Sequence, residues 1–105
     1  MGYTTETPFG SYTPQPLDTS DIELPRELEA LREQVAEQVH DIWAEGRMRD
    51  GWTWGPVRDD AEQHNPTLIP YEDLSNSERE YDRNTAEGTL KMLLKLGWKI
   101  TPPEQ

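Results

Sequence analysis

The sequence predicts a small, mainly α-helical domain with two principal antiparallel helices, an extended N-terminal arm and short β segments. Apolar residues recur at intervals of three and four from Leu28 to Ile42, which is the period of an amphipathic helix. A second run of this kind begins after Ser75 and ends before Gly97. Because glycine, proline and acidic residues fill the segment between the two runs, we expect two helices that pack around one core.

The composition predicts that this core is small. Of the 105 residues, 32% are hydrophobic, Leu, Ile, Val and Phe together number 18, and the net charge is −11. Such values are typical of disordered chains, but four Trp and four Tyr supply large apolar surfaces that disordered segments usually lack. We therefore expect one folded domain over 12–101, a flexible arm over 1–11 and a tail over 102–105.

Several classes of protein are disfavoured by the same composition. No apolar run approaches the roughly 18 residues of a membrane span, and the first ten residues lack the basic and apolar stretches of a secretory signal. The acidic balance disfavours nucleic-acid binding, which depends on clustered Lys and Arg. The lack of cysteine removes disulfides and thiolate metal ligands. We expect a cytoplasmic protein that binds neither membranes nor nucleic acid.

The N-terminal arm is expected to be extended because three prolines interrupt it and its apolar residues show no helical period. Its first ten residues are expected to be mobile. From about residue 12 onward it should lie across the domain surface. Its predicted anchors are Tyr12, Leu17, Ile22 and Leu24.

The first helix is predicted to begin near Pro25 and to end at Gly46 or Gly51. Its apolar stripe comprises Leu28, Leu31, Val35, Val39 and Ile42, widened by Ala36 and Trp43. Acidic residues also recur at every fourth position from Glu29 to Glu45. This run drifts by about 40° per step around a helix, which favours a solvated face over the alternative, a ladder of metal-binding carboxylates.

The middle segment, 50–74, combines glycines, tryptophans and acidic residues. Trp52–Trp54 is predicted to form a very short strand between Gly51 and Gly55. A turn is expected at His64-Asn65-Pro66. Tyr71 and Leu74 are expected to pack back onto the helices.

The second helix has stronger end signals. Ser75 and Glu78 form a capping box, and Gly97 suits the left-handed position just after the helix, followed by Trp98 in a Schellman ending. Gly88 predicts a close approach of the two helices, and 98–101 is predicted to form a short terminal strand. Lys91 and Lys95 lie in the last turns, where positive charge is favourable. The predicted inner face comprises Tyr81, Leu90, Leu93 and Leu94.

The strongest ligand-site hypothesis lies in the middle segment. Trp52, Trp54 and Tyr71 could form a stacking wall, beside which Arg58 would hold an anion. Asp59 and His64 complete this predicted set. In the structural alternative both tryptophans are core residues and Arg58 pairs internally with Asp59, Asp60 or Glu62.

Catalytic and metal sites are poorly supported. The chain has neither a Gly-x-Ser-x-Gly elbow nor a glycine-rich phosphate loop in the required context. A metal site would have to use His40, Asp41, Asp59, Asp60 and His64, which include only two histidines. We therefore predict a non-catalytic protein without a metal or other cofactor, in which His40 is a packing residue.

A set of motifs in fixed order extends over most of the chain: Leu24-Pro25, Val35-Ala36-Glu37, His40-Asp41-Ile42-Trp43, the run from Gly51 to Asp60, His64-Asn65-Pro66-Thr67-Leu68, Glu78-Arg79-Glu80-Tyr81 and the run from Thr89 to Gly97. Together they resemble the RyR domain, the repeated module of ryanodine receptors that also occurs as a small bacterial domain. The residues taken as its structural signature are His40, Trp43, Gly51, Gly55, Asp60, Pro66 and Gly97. Asn65 departs from the family pattern, in which His is usually followed directly by Pro.

This resemblance implies a non-catalytic regulatory module. Bacterial members have been proposed to sense nucleotide-derived ligands, which agrees with the Trp52, Trp54 and Arg58 hypothesis. Receptor RyR domains occur in tandem pairs with approximate two-fold symmetry, so a single copy is expected to form a homodimer. The alternative is a protein-interaction domain without a small-molecule ligand, using the acidic face of the first helix.

Overall fold

The computed structural model of the protein describes residues 2–104; Met1 and Gln105, the outer ends of the predicted arm and tail, lie outside the described residues. In chain order the elements are β1 (Thr5–Thr7), β2 (Gly10–Tyr12), α1 (Arg26–Glu29), α2 (Arg32–Arg49), a 3₁₀ turn (Tyr71–Asp73) and α3 (Asn76–Lys95). The predicted fold class is confirmed, since α2 and α3 pack together in this mainly helical domain. Their directions are opposite, because Arg32 pairs with Glu87 whereas His40 lies beside Asp82.

The N-terminal segment forms a hairpin where an extended arm was expected. Strands β1 and β2 are antiparallel, with Thr5 opposite Tyr12 and Thr7 opposite Gly10. The Thr7 hydroxyl closes the turn, because it donates to the carbonyl of Gly10 and accepts from the amide of Phe9. Of the predicted anchors, Tyr12 and Leu17 are exposed, whereas Ile22 and Leu24 are partly buried.

The predicted first helix is divided in two. Pro25 precedes α1 as expected, but the chain tightens at Leu31, whose amide bonds to the carbonyl three residues back before α2 begins. Helix α2 ends at Arg49, and Gly51 follows in the left-handed region with φ 96°. Two residues of the predicted apolar stripe do not face the core, because Leu31 is 43% exposed and Ile42 is 62% exposed.

Helix α3 has an N-cap at the predicted residue and the predicted Schellman ending. The Ser75 hydroxyl accepts a hydrogen bond from the amide of Glu78 at 3.2 Å. At the other end, the amides of Gly97 and Trp98 donate to Leu94 and Leu93 respectively, which is the complete Schellman pattern. Gly97 has φ 97°, a conformation that favours glycine.

Two predictions about residues within α3 are wrong. Tyr81 is 76% exposed, because it is nine residues from Leu90 and a helix therefore turns the two side chains to opposite faces. Gly88 is exposed, and a Cβ atom placed on it would meet no other atom of the described chain within 4 Å, apart from its own helix backbone and chain neighbours. It therefore marks no close approach of α2 and α3.

A terminal strand is also absent: residues 98–101, all within the described chain, adopt no strand conformation. Pro102 and Pro103 follow directly. Over residues 2–104, no helix is long and apolar enough to cross a membrane.

The core lies between α2, α3 and the 3₁₀ turn. Its buried residues are Ala36, Tyr71, Leu74 and Ala86, against which Val35 and Ile69 pack. The prediction that Tyr71 and Leu74 pack onto the helices is therefore confirmed. Alanine at the contact on each helix leaves room for the Tyr71 ring between them.

An ion-pair network closes one side of this core. Glu33 accepts hydrogen bonds from Arg83 at 2.7 and 2.9 Å and from the Tyr71 hydroxyl at 2.7 Å. Arg83, and to a lesser extent Tyr71, lower the pKa of Glu33 to about 2. Burial, together with the hydrogen bond to Glu33, raises the pKa of Tyr71 to about 12. The network thus couples α2, α3 and the 3₁₀ turn.

Candidate functional site

The middle segment between the helices is a compact loop held by backbone hydrogen bonds. Asp59 and His64 exchange two of them, at 3.0 and 2.9 Å, and Thr53 bonds to both Gln63 and Asn65. Gly55 lies against His64 so closely that a Cβ atom at position 55 would be 2.5 Å from the His64 Cβ. In place of the predicted strand at 52–54, Thr53 therefore forms a single bridge to His64.

The predicted turn at Asn65 is built by its own side chain. The Asn65 Oδ1 atom accepts hydrogen bonds from the Thr67 amide at 2.8 Å and from the Thr67 hydroxyl at 2.6 Å. The Leu68 amide then returns to the Asn65 carbonyl. The Asn65 side chain, between His64 and Pro66, thus supplies the cap of this turn.

Two of the predicted ligand residues, Arg58 and Asp59, have internal partners. Arg58 donates to Asp60 at 2.9 Å, and this exposed pair lowers the pKa of Asp60 and raises the pKa of Arg58. Asp59 accepts a hydrogen bond from the amide of Glu62 and caps the turn there. The pairing of Arg58 with Asp60 belongs to the structural alternative given above for this segment.

The predicted aromatic wall is not assembled. Trp52 is buried, while Trp54 is 55% exposed. Tyr71 is a core residue that is 5% exposed, its hydroxyl bonds to Glu33 and its ring lies 6.2 Å from the His40 ring, so it belongs to the helix core and not to a wall with the tryptophans. The inclusion of Tyr71 in a stacking wall was therefore wrong.

The structure instead aligns arginines and aromatic rings along the end of α2. The Arg47 guanidinium lies 6.0 Å from the Trp43 ring centroid and 5.2 Å from that of Trp52. Arg58 lies 5.7 Å from the Trp52 ring. Cations at these distances are attracted to the ring faces. The ladder of Trp43, Arg47, Trp52 and Arg58 thereby joins helix α2 to the middle segment.

Beside Trp43 a cleft opens between α2 and α3, and its volume is about 190 Å³. We call it the Trp43 cleft. Its lining combines two aromatic rings, two carboxylates, a histidine, a hydroxyl and one apolar residue: Trp43, Tyr81, Glu78, Asp82, His40, Thr67 and Leu74. Arg58 does not line this cleft.

Buried His40 forms the floor of the Trp43 cleft. Its Nε2 atom lies 2.7 Å from the carbonyl oxygen of Ile69, and its Nδ1 atom lies 3.9 Å from Asp82. Because a carbonyl only accepts, Nε2 carries a proton; when the ring is neutral, Nδ1 is therefore an acceptor. The His40 ring also lies 5.6 Å from the Trp43 ring.

The pKa of Asp82 is shifted in opposite directions by its surroundings in this cleft. Desolvation raises the pKa of its carboxyl above the ordinary value, the nearby Glu78 raises it further, and His40 lowers it. A partly dehydrated carboxylate beside aromatic rings is a common feature of ligand sites. Asp82 can accept hydrogen bonds from a ligand, or donate one when it is protonated.

Sequence reasoning missed this cleft, although its local spacings were visible. Glu78 and Asp82 are four residues apart and share one side of α3, as His40 and Trp43 do on α2 at a spacing of three. Which two helix sides face each other depends on tertiary packing. The residues considered for a metal site and set aside are also divided, because His40 lies in the cleft whereas Asp59 and His64 form a backbone bridge in the loop. Within residues 2–104, no three His, Asp or Glu side chains are placed to hold a metal ion.

The fold is that of a small, mainly helical domain in which two main helices pack together. The family model described as RyR domain matches residues 12–102, nearly the whole chain. The chain therefore belongs to the RyR domain family, whose members are generally non-catalytic modules.

Proposed function

We propose that this RyR domain is a non-catalytic recognition module that binds a small nucleotide-like ligand in the Trp43 cleft. The observation that carries the proposal is the placement of two aromatic rings, Trp43 and Tyr81, around a polar floor. At about 190 Å³ the cleft is smaller than the pockets that enclose whole drug-sized ligands. It suits one flat ring system, with the rest of the ligand outside on the surface.

The floor of the cleft suits the edge of a nucleobase. Asp82 and the Nδ1 atom of His40 are acceptors for an amino group, and the Thr67 hydroxyl can donate or accept. Stacking on an aromatic ring is tolerant of base identity, so these polar groups would set the specificity.

Arg47 is the best-placed group for the anionic part of such a ligand. It lies between Trp43 and Trp52 and, unlike Arg58, has no ion-pair partner within 4.0 Å among the described residues. A guanidinium offers paired donors to a phosphate. A base in the cleft would thus place its phosphates toward the arginine ladder.

Calorimetric titration of the full chain with adenosine, AMP, ADP and pyrophosphate tests this proposal. We expect the nucleotides to bind, adenosine to bind more weakly and pyrophosphate to bind least. Trp43→Ala should weaken nucleotide binding about tenfold or more, since base stacking contributes about 1–3 kcal/mol. Arg47→Gln should weaken AMP and ADP while leaving adenosine unchanged.

Trp54→Ala is the matched control, because it removes an exposed tryptophan outside the Trp43 cleft. Nucleotide binding that is lost on Trp54→Ala and kept on Trp43→Ala would place the site in the middle segment. If none of the four compounds binds, the sensing proposal fails. The interaction-domain alternative would then be favoured by Trp54 and Val57, which are 55% and 71% exposed on the hydrogen-bonded loop.

A further inference from the structure

The outer face of α3 is an unpartnered surface with an unusual composition. We define it by the residues that point away from the core over four turns: Tyr81, Thr85, Gly88, Met92 and Leu96. At 100° per residue they lie within about 80° of one another, opposite buried Ala86 and partly buried Leu90. All five are exposed and none is charged, in a chain of which 30% is charged. Solvent-facing helix surfaces normally carry charged or polar residues.

Gly88 lies at the centre of this face. Glycine inside a helix is less favourable than alanine, and a Cβ atom at this position would meet no other atom of the described chain within 4 Å, apart from its own helix backbone and chain neighbours. Packing within the domain therefore does not require a glycine here. A glycine on an exposed helix face permits the close approach of another backbone from outside.

The N-terminal arm adds a wall along this face. Pro16 and Leu17 border a groove of about 430 Å³ together with Gly88 and Met92. The arm is held there by an ion pair between Asp21 and Lys95 at 2.9 Å. The groove therefore extends the apolar surface on one side of α3.

Charge indicates which partner fits the face. The segment 75–105 has no net charge, while the other 74 residues carry all eleven negative charges in excess. Within α3, Glu80, Lys91 and Lys95 already have partners in the same chain: Arg83, Glu87 and Asp21 respectively. An antiparallel copy of the same helix would oppose the helix dipoles favourably and would meet a segment that carries no net charge. Elsewhere, two copies of this acidic chain would repel each other.

We propose that a second copy of this chain packs on the outer face of α3, antiparallel and with its two-fold axis at Gly88. Each Met92 then lies beside Thr85 of the other copy, and each Leu96 lies beside the other Tyr81. The contact is isologous, so it closes as a dimer. Tyr81 also lines the Trp43 cleft, so this contact and a ligand in the cleft would share one residue.

Sedimentation equilibrium of the full chain over a wide concentration range tests the dimer. We expect a mass that rises from the 12.2 kDa of one copy to twice that value. Met92→Glu should hold the protein at the monomer mass, whereas Ile42→Glu, the same change at an exposed site on α2, should leave dimerisation intact. A chain that stays monomeric throughout would overturn the proposal.

Gly88→Ala separates folding from association. Because no described atom blocks the new methyl group, the variant should melt higher, by up to roughly 4–8 °C at monomeric concentration. Its self-association should be about tenfold weaker or more, since the methyl groups meet at the axis. A higher melting temperature with unchanged association would overturn the close approach at Gly88.

Cross-linking tests the orientation, and the natural chain contains no cysteine that would interfere. Thr85→Cys and Met92→Cys chains, mixed and oxidised, should form mainly the mixed disulfide. A disulfide between two identical variant chains requires the same residue of both copies to be a neighbour of itself. In the antiparallel pair the two copies of residue 85, and likewise those of residue 92, lie about 10 Å apart along the helix axis. A predominance of disulfides between identical chains would overturn the antiparallel arrangement.

Discussion

His40 and Ile69 are joined by a 2.7 Å hydrogen bond from the imidazole Nε2–H to the main-chain carbonyl, across 29 residues of sequence. His40 is 4% exposed, so the bond is shielded from water. It fixes α2 against the segment that leads into the 3₁₀ turn. The same bond keeps a proton on Nε2 and leaves the Nδ1 atom of His40 facing Asp82 at 3.9 Å.

Replacement of His40 by phenylalanine should destabilise the fold by about 1–3 kcal/mol, because the Ile69 carbonyl is left buried without its donor. The ring is retained, so the loss would reflect the hydrogen bond more than a cavity. Urea denaturation measures the change. Gln38→Ala, at an exposed position on the same helix, is the control. An unchanged midpoint for His40→Phe would show that the bond contributes nothing to stability.

Gly55→Ala should be destabilising by about 1–3 kcal/mol, because the new Cβ would lie 2.5 Å from the Cβ of His64. The clash would displace His64, which forms a backbone bridge with Thr53. Because Thr53 lies between Trp52 and Trp54, the tryptophan fluorescence of the loop should change as well. Gly46→Ala is the matched control. That glycine lies within α2 with open space around it, and the change should stabilise the fold by up to about 1 kcal/mol. Equal effects of the two variants would contradict the close packing at Gly55.

The predictions that the structure confirms depend on local chemistry. The hydroxyl of a capping serine bonds to the amide three residues later, and a glycine after the last helical turn adopts the left-handed conformation that ends the helix. Both features depend only on neighbouring residues, so the caps at Ser75 and Gly97 could be identified from the sequence. Tyr81 and Tyr71 show where local information ends. Both are aromatic residues beside a helix contact, yet one is exposed and the other buried, because the rotation of each element against its neighbour is set by packing of the whole core.

The candidate site was harder to predict for the same reason. Trp52, Trp54 and Arg58 are close in sequence, and a ligand site was therefore predicted there. In the structure, however, Arg58 is paired with Asp60, and Asp59 accepts a hydrogen bond from the Glu62 amide. The Trp43 cleft unites His40 with Asp82, which are separated in sequence by the end of α2, the whole middle segment and about the first third of α3. Only the antiparallel packing of α2 on α3 brings these residues together.

Acid should destabilise the protein through Glu33. Its folded-state pKa of about 2 is below its ordinary value of 4.5, so the stabilisation is complete above pH 4.5 and is lost as the pH falls toward 2. Glu33→Gln should lower the melting temperature at neutral pH and flatten the acid dependence in that window. Glu37→Gln removes an equal charge from an exposed site nearby as the control. An acid profile that Glu33→Gln leaves unchanged would show that other carboxylates dominate.

Asp82→Asn should increase stability while it weakens ligand binding. Desolvation raises the folded-state pKa of Asp82, so the charged form is disfavoured and stability is lost as the pH rises through that pKa. The amide removes this penalty, and its advantage should disappear below the ordinary pKa of 3.8. Melting temperature across pH, with nucleotide titration at neutral pH, measures both effects, and exposed Asp41→Asn is the control. A loss of both stability and binding would instead show that the attraction between Asp82 and His40 outweighs the cost of burying the carboxylate.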